Sequence, residues 1–118
     1  INLQPNLLEA YHYRGIVRYG MKDLDGALAD YNKAISLGLK SSAIYFNRGV
    51  IFHQKGQLSD AIESYSRSIE IDPSNARAYY NRAISKLIVD NYKEALQDLE
   101  ISKRLGYSKA AEVISQYY

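Results

Sequence analysis

The sequence contains no cysteine, which removes disulfide bridges, cysteine-ligated zinc and thiol catalysis together and leaves the redox compartment open. Only two prolines and seven glycines occur in 118 residues, with no proline- or serine-rich tract, so neither a linker nor a disordered segment is expected. Charge of one sign is scarce: 15 basic against 13 acidic residues leave +2, too little for a surface dedicated to nucleic acid. No apolar run approaches the roughly 20 residues of a membrane-spanning helix. The longest candidate, around Ile84 to Val89, is interrupted by Ser85 and Lys86. Phosphate-binding glycine loops, the HExxH zinc helix and the GxSxG nucleophile turn are all missing. An enzyme is therefore not expected, and no cofactor or metal is implied. With 47% hydrophobic residues the chain can still build a core for one domain.

What the sequence does contain is a period. Tyr45, Gly49, Ala61, Tyr65, Ser68 and Ile71 have counterparts 34 residues upstream in Tyr11, Gly15, Ala27, Tyr31, Ala34 and Leu37. Downstream the same interval reaches Tyr79, Ala83, Ala95, Leu99, Ser102 and Leu105. There is no insertion or deletion between copies. A fixed period of this length marks an array of stacked supersecondary units.

Each period divides into two helical halves. Leu8, Tyr11, Gly15 and Tyr19 fall at spacings of three and four, and Leu24, Ala27, Leu28, Tyr31, Ala34 and Ile35 continue the rhythm after a turn at Gly20 to Asp23. Asp23 suits an N-cap and Gly38 a left-handed C-cap. In the second period Ser41 or Ser42 caps a helix from about Ala43 to Gln54, and Leu58 to Ile71 returns. Asp72-Pro73-Ser74-Asn75 stops that helix and starts the next, with Ser74 or Asn75 as cap. Ala76 to Val89 and Tyr92 to Leu105 form the third pair. Ser108 to Tyr118 reads as a last short helix in which the pattern does not recur in register, as an end-cap requires.

At Tyr45-x-x-x-Gly49, Ala61-x-x-x-Tyr65-x-x-Ser68 and Pro73 the chain resembles the tetratricopeptide repeat, over essentially all its length. The resemblance implies an all-α fold: a right-handed superhelical array of antiparallel helix pairs, three 34-residue repeats plus a C-terminal capping helix. The expected divisions are 8–41, 42–75 and 76–109 for the repeats and 110–118 for the cap. Residues 1–7 are expected to be the tail of a preceding repeat, since Ile1-Asn2-Leu3-Gln4-Pro5 matches Ile69-Glu70-Ile71-Asp72-Pro73 two periods later. On this reading Tyr11 and Tyr31 should be wetter than Tyr45 and Tyr65.

The resemblance also implies that the first helix of each pair lines a concave groove. By helical spacing its inward residues are His12, Tyr13 and Ile16, then Phe46, Asn47, Val50 and His53, then Arg77, Tyr80, Asn81 and Ile84. Aromatic and aliphatic anchors interleaved with amides suit an extended peptide or a helix better than a small metabolite. Asn47 and Asn81 share one register position; they either grip a peptide backbone or bond to neighbouring helices. One use of this groove in the family grips a C-terminal carboxylate, at places that fall here on His12, Ile16, Asn47, Arg77 and Asn81. Of these only Asn47 is retained outright, with Arg77 as a basic substitute, which speaks against that use.

His12 and His53 lie seven register places apart, roughly 10 Å along a helix, so a shared metal is not expected. Paired carboxylates such as Asp23 and Asp25 read as solvated charge. Arg14, Arg48 and Arg82 recur before the small residue of each first helix, either as a ligand stripe or as partners of Asp30 and Asp98. The second role is expected, with at least one arginine–aspartate contact. The functional expectation is a non-catalytic scaffold binding a protein or peptide, with no nucleic acid and no membrane span. Self-association through the repeat ends is the alternative. No compartment is encoded; the cytoplasm is the default expectation.

Overall fold

The computed structural model describes residues 4–118 as seven helices and, among these residues, no strand. They are α1 (Gln4–Gly20), α2 (Leu24–Ser36), α3 (Ser42–Gln54), α4 (Leu58–Ile71), α5 (Ala76–Ile88), α6 (Tyr92–Arg104) and α7 (Ser108–Tyr117). Residues 1–3, where the expected tail of a preceding repeat begins, lie outside the described residues, and residues 4–7 form the first turn of α1. Pro5 is tolerated there because a first-turn N–H has no intrahelical partner to lose.

Consecutive helices pack as the pairs α1–α2, α3–α4 and α5–α6, and each pair leans on the next through α2–α3, α4–α5 and α6–α7. The array is elongated, 53 × 26 × 20 Å. Its radius of gyration of 15.1 Å exceeds the roughly 13.5 Å of a compact domain this long.

Local chemistry sets the helix ends. Asp23 Oδ1 accepts the Gly26 N–H at 3.0 Å. Between the two serines before α3, Ser41 caps, accepting from Ile44 N. Ser42 instead turns its hydroxyl to Ser68 of α4, with the two oxygens 2.8 Å apart. Before α5 it is Asn75 that caps, accepting from Ala78 N, while Ser74 bonds to Asp72. Gly38, Gly56 and Gly106 take the positive φ that closes a helix C-terminus.

The core runs along the pair contacts. Ala27, Ala61 and Ala95 are fully buried, as their register requires. Gly15 and Gly49 admit a ring: a Cβ at either would lie 2.6 Å from Cε1 of Tyr31 or Tyr65. The third unit makes the same contact with Ala83 and Leu99, a methyl gained on one helix and a ring lost on the other. The expected difference between Tyr31 and Tyr65 is overturned, since both are buried, and Tyr11 and Tyr45 are both half-buried. Tyr31 packs toward Gly15 and toward the following unit, so the N-terminal end of the array does not reach it.

The recurring arginines hold the pairs together. Arg14 clasps Asp30 through Nε and Nη2 at 2.9 and 2.8 Å, and Arg82 clasps Asp98 at 2.8 and 2.7 Å. A second cation joins each acid, Arg18 at 3.4 Å on Asp30 and Lys86 at 2.9 Å on Asp98. In the middle unit both features change together. Ser64 stands in the acid's place, accepting from Arg48 Nε at 3.0 Å, and Phe52 stands where Arg18 and Lys86 stand in the other units. Removing the carboxylate and the second cation together avoids leaving a buried charge uncompensated.

Candidate functional site

Two hollows open on the side formed by the first helices. One, of about 310 Å³, is lined by Ile16, Tyr19, Tyr31, Phe46, Asn47, Val50 and Arg77. The other, of about 250 Å³, is lined by Val50, His53, Gln54, Tyr65, Tyr80, Asn81 and Ile84. Six positions of the first recur 34 residues later in the second: Ile16 as Val50, Tyr19 as His53, Tyr31 as Tyr65, Phe46 as Tyr80, Asn47 as Asn81, Val50 as Ile84. Val50 is the wall between them. The hollows are one structural motif written twice, as the period of the chain dictates.

Each hollow has an apolar wall and a polar floor. The floor is a buried tyrosine from a second helix, with an asparagine from the first helix of the next unit against its hydroxyl: Asn47 against Tyr31, Asn81 against Tyr65. Burial disfavours the phenolate and raises both pKa values, that of Tyr65 up to about 12, while the neighbouring amide acts in the opposite direction. An amide has two N–H donors and a carbonyl with two lone pairs, so the contact with one hydroxyl does not exhaust either asparagine. The third unit has Leu99 and Ser115 at these places, and the polar floor ends there.

Further side chains fix the walls. The Arg77 guanidinium lies 5.4 Å from the centre of the Phe46 ring, a cation–π distance that keeps the ring in place and brings a positive charge to the rim. Phe46 in turn meets Tyr65 at 5.8 Å, and Tyr80 meets Tyr107 edge-on at 5.0 Å. His53 Nδ1 pairs with the buried Ser85 hydroxyl at 3.1 Å, tying α3 to α5. Gln54 Nε2 donates to the Tyr19 hydroxyl at 2.7 Å, linking the rims of the two hollows.

Of the residues expected in the groove, Ile16, Phe46, Asn47, Val50, His53, Arg77, Tyr80, Asn81 and Ile84 line one hollow or both. His12 and Tyr13 do not. The His12 ring is half-buried, edge-on to Tyr31 at 5.9 Å, with Nε2 buried and without a hydrogen-bond partner. That burial lowers its proton affinity against the opposing pull of Glu9. Tyr13 is exposed and parallel to the His12 ring. Tyr31, Tyr65 and Gln54 line the hollows without having been expected there. The signal in the sequence was a phenol where Leu99 shows that a plain aliphatic side chain suffices for packing, since a buried tyrosine hydroxyl seeks a partner. Among the described residues, no three His, Asp or Glu side chains converge as a metal site would need, and no helix is long and apolar enough to cross a membrane.

Residues 49–86 match the family model of the TPR repeat. No curated protein sequence matches the chain. Solved structures do. The Arabidopsis OM64 TPR domain superposes with a TM-score of 0.86 at 25% identity, over 96% of this chain and 94% of that one. The first TPR of Spaghetti (RPAP3), bound to the HSP90 peptide SRMEEVD, gives 0.86 at 16% identity over 94% and 90%. The second TPR of Spaghetti (RPAP3), bound to the same peptide, gives 0.80 at 20% over 89% and 99%. A TPR repeat matched by sequence over residues 49–86 and a fold shared with TPR domains over nearly the whole chain make this protein an all-α array of tetratricopeptide-type repeats.

Proposed function

We propose that the protein binds an extended peptide segment along the two hollows, one apolar ligand side chain to each. The observation that carries this reading is the repetition of the same six lining positions in adjacent units. Register-equivalent hollows favour a ligand that itself repeats, and an extended peptide presents alternate side chains to one face. Phe46 and Val50 shape the first hollow, and Tyr80, Val50 and Ile84 the second, while the free donors of Asn47 and Asn81 face the ligand backbone. That two neighbours of the same fold were solved with a peptide bound supports the class of ligand. The lining differs from a carboxylate grip. His12 and Ile16 bring no lysine, and Arg77 is engaged with Phe46, so apolar content of the ligand outweighs its terminal charge.

Selection from a displayed library of random peptides tests the proposal. Recovered peptides should carry two apolar side chains at a fixed spacing. Val50→Asp, which puts a charge on the wall common to both hollows, should remove their binding with little change in melting temperature, Val50 being only half-buried. Asn47→Ala with Asn81→Ala should weaken binding by roughly 1–3 kcal/mol. The contacts with Tyr31 and Tyr65 add a measurable loss of stability to that pair of changes. Enrichment of nothing, or binding untouched by Val50→Asp, would refute the groove.

A further inference from the structure

The two hollows share a register and differ in one pair of side chains. Tyr19 and Gly20 of α1 recur 34 residues later as His53 and Gln54 of α3, and both of these line the second hollow. Two neighbouring polar side chains therefore stand where the first unit has one.

Ser85 decides what His53 offers. This serine of α5 is fully buried, and its hydroxyl has one partner among the described residues, His53 Nδ1. A sealed hydroxyl with a single partner places its proton there, because a buried donor left unpaired costs free energy. Nδ1 is then the acceptor, and the neutral imidazole carries its own proton on Nε2. Nε2 is not buried and has no protein acceptor among the described residues, so its N–H is available to the hollow that the ring lines. Gln54 supplies the opposite group. Its Nε2 donates to Tyr19, which leaves the amide carbonyl as an acceptor on the same lining. The walls are Val50, Ile84 and the Tyr80 ring, and neither a carboxylate nor a lysine or arginine lines this hollow.

A donor beside an acceptor, in an apolar slot of about 250 Å³, matches an apolar ring that ends in a hydroxyl. Leucine or phenylalanine there would strip water from the imidazole N–H and the amide carbonyl without replacing it. A carboxylate would satisfy the N–H but bring no donor to Gln54, and no fixed cation would offset its lost hydration. We infer, on the reading that a peptide lies along the two hollows, that the side chain it places in the second is a tyrosine, its hydroxyl accepting from His53 Nε2 and donating to Gln54 Oε1. His53 and Gln54 set the specificity. Ser85 is a positioning residue that holds the histidine in the required tautomer. The first hollow has Gly20 at the Gln54 place and takes a plain apolar side chain.

The test uses p-cresol and toluene, the side chains of tyrosine and phenylalanine, titrated into the whole protein by NMR. p-Cresol should shift His53, Gln54 and Ile84 and bind there at least about fivefold more tightly than toluene. The preference should fall to about one in His53→Leu with Ser85→Ala, which removes both partners and leaves no orphaned hydroxyl. Gln54→Ala, a change at an exposed side chain, should remove part of it. With two histidines in the chain, the imidazole nitrogens can be assigned. The His53 proton should sit on Nε2 and spread over both nitrogens in Ser85→Ala. Peptides selected from the displayed library should carry tyrosine at one of their two spaced positions and not at the other. Equal binding of the two fragments, a proton on Nδ1, or selected peptides with leucine or phenylalanine at both positions would overturn the tyrosine assignment and leave the peptide groove standing. Enrichment of no peptide would overturn both.

Discussion

Gly49 has no space for even a methyl group, because the Tyr65 ring lies against its Cα. The third unit shows how the conflict is resolved, with Ala83 opposite Leu99. Gly49→Ala should therefore cost about 1–3 kcal/mol from overpacking, despite alanine's better helix propensity of about 1 kcal/mol. Adding Tyr65→Leu should recover much of that loss. A double-mutant cycle by urea denaturation measures it, and strictly additive effects would contradict the pairing. Tyr65 also links stability to pH. Its folded-state pKa of about 12 lies above the ordinary value of 10.0. The folded state thus holds the proton more tightly, and its contribution is complete below pH 10 and lost as pH rises toward 12. The loss should reach about 2–3 kcal/mol, two units at 1.36 kcal/mol each, and should be largely missing in Tyr65→Phe.

At the scale of the elements, the turns within the pairs carry an unrelieved cost. Lys22, Gly56 and Asp90 occupy one register position, with φ of 65°, 77° and 63°. Only glycine adopts this conformation freely. A side chain there costs roughly 1–2 kcal/mol, and glycine's extra freedom in the unfolded chain gives back part of the gain. Lys22→Gly should raise stability by up to about 1 kcal/mol and Gly56→Ala should lower it by about as much, both read as shifts in the denaturation midpoint. The turn of the first pair, expected over Gly20 to Asp23, lies there: Gly20 closes α1 and the positive φ falls at Lys22. The backbone geometry that ends the helix chooses the position, and the residue type follows only in the middle unit.

For the whole molecule the stack is the unit of stability, since each pair covers the face of the one before it. The helix α7 does this for the last pair, covering Ala95 and Leu99 with Ala110, Val113 and Ile114. A chain ending at Leu105 should lose several kcal/mol at about 1.5–3 kcal/mol per large buried side chain, and should self-associate in sedimentation. An unchanged melting point and a monomer would show that α7 is no cap. The helix pairs, their order and the residues facing inward were legible in the sequence, because a fixed period with a 3.6-residue rhythm leaves little choice of which face is buried. Asp23 as cap and the arginine–aspartate partnership were legible for the same reason, each being a local or register-fixed bond. The tyrosine floors of the hollows were not, because they come from second helices and meet the asparagines of the next unit only when units stack. Nor was the withdrawal of His12 and Tyr13 from the groove, since their positions repeat while their surroundings do not. The sequence by itself determined what recurs every 34 residues. The tertiary structure decided what happens between copies, where one unit's hydroxyl, amide or guanidinium meets its neighbour.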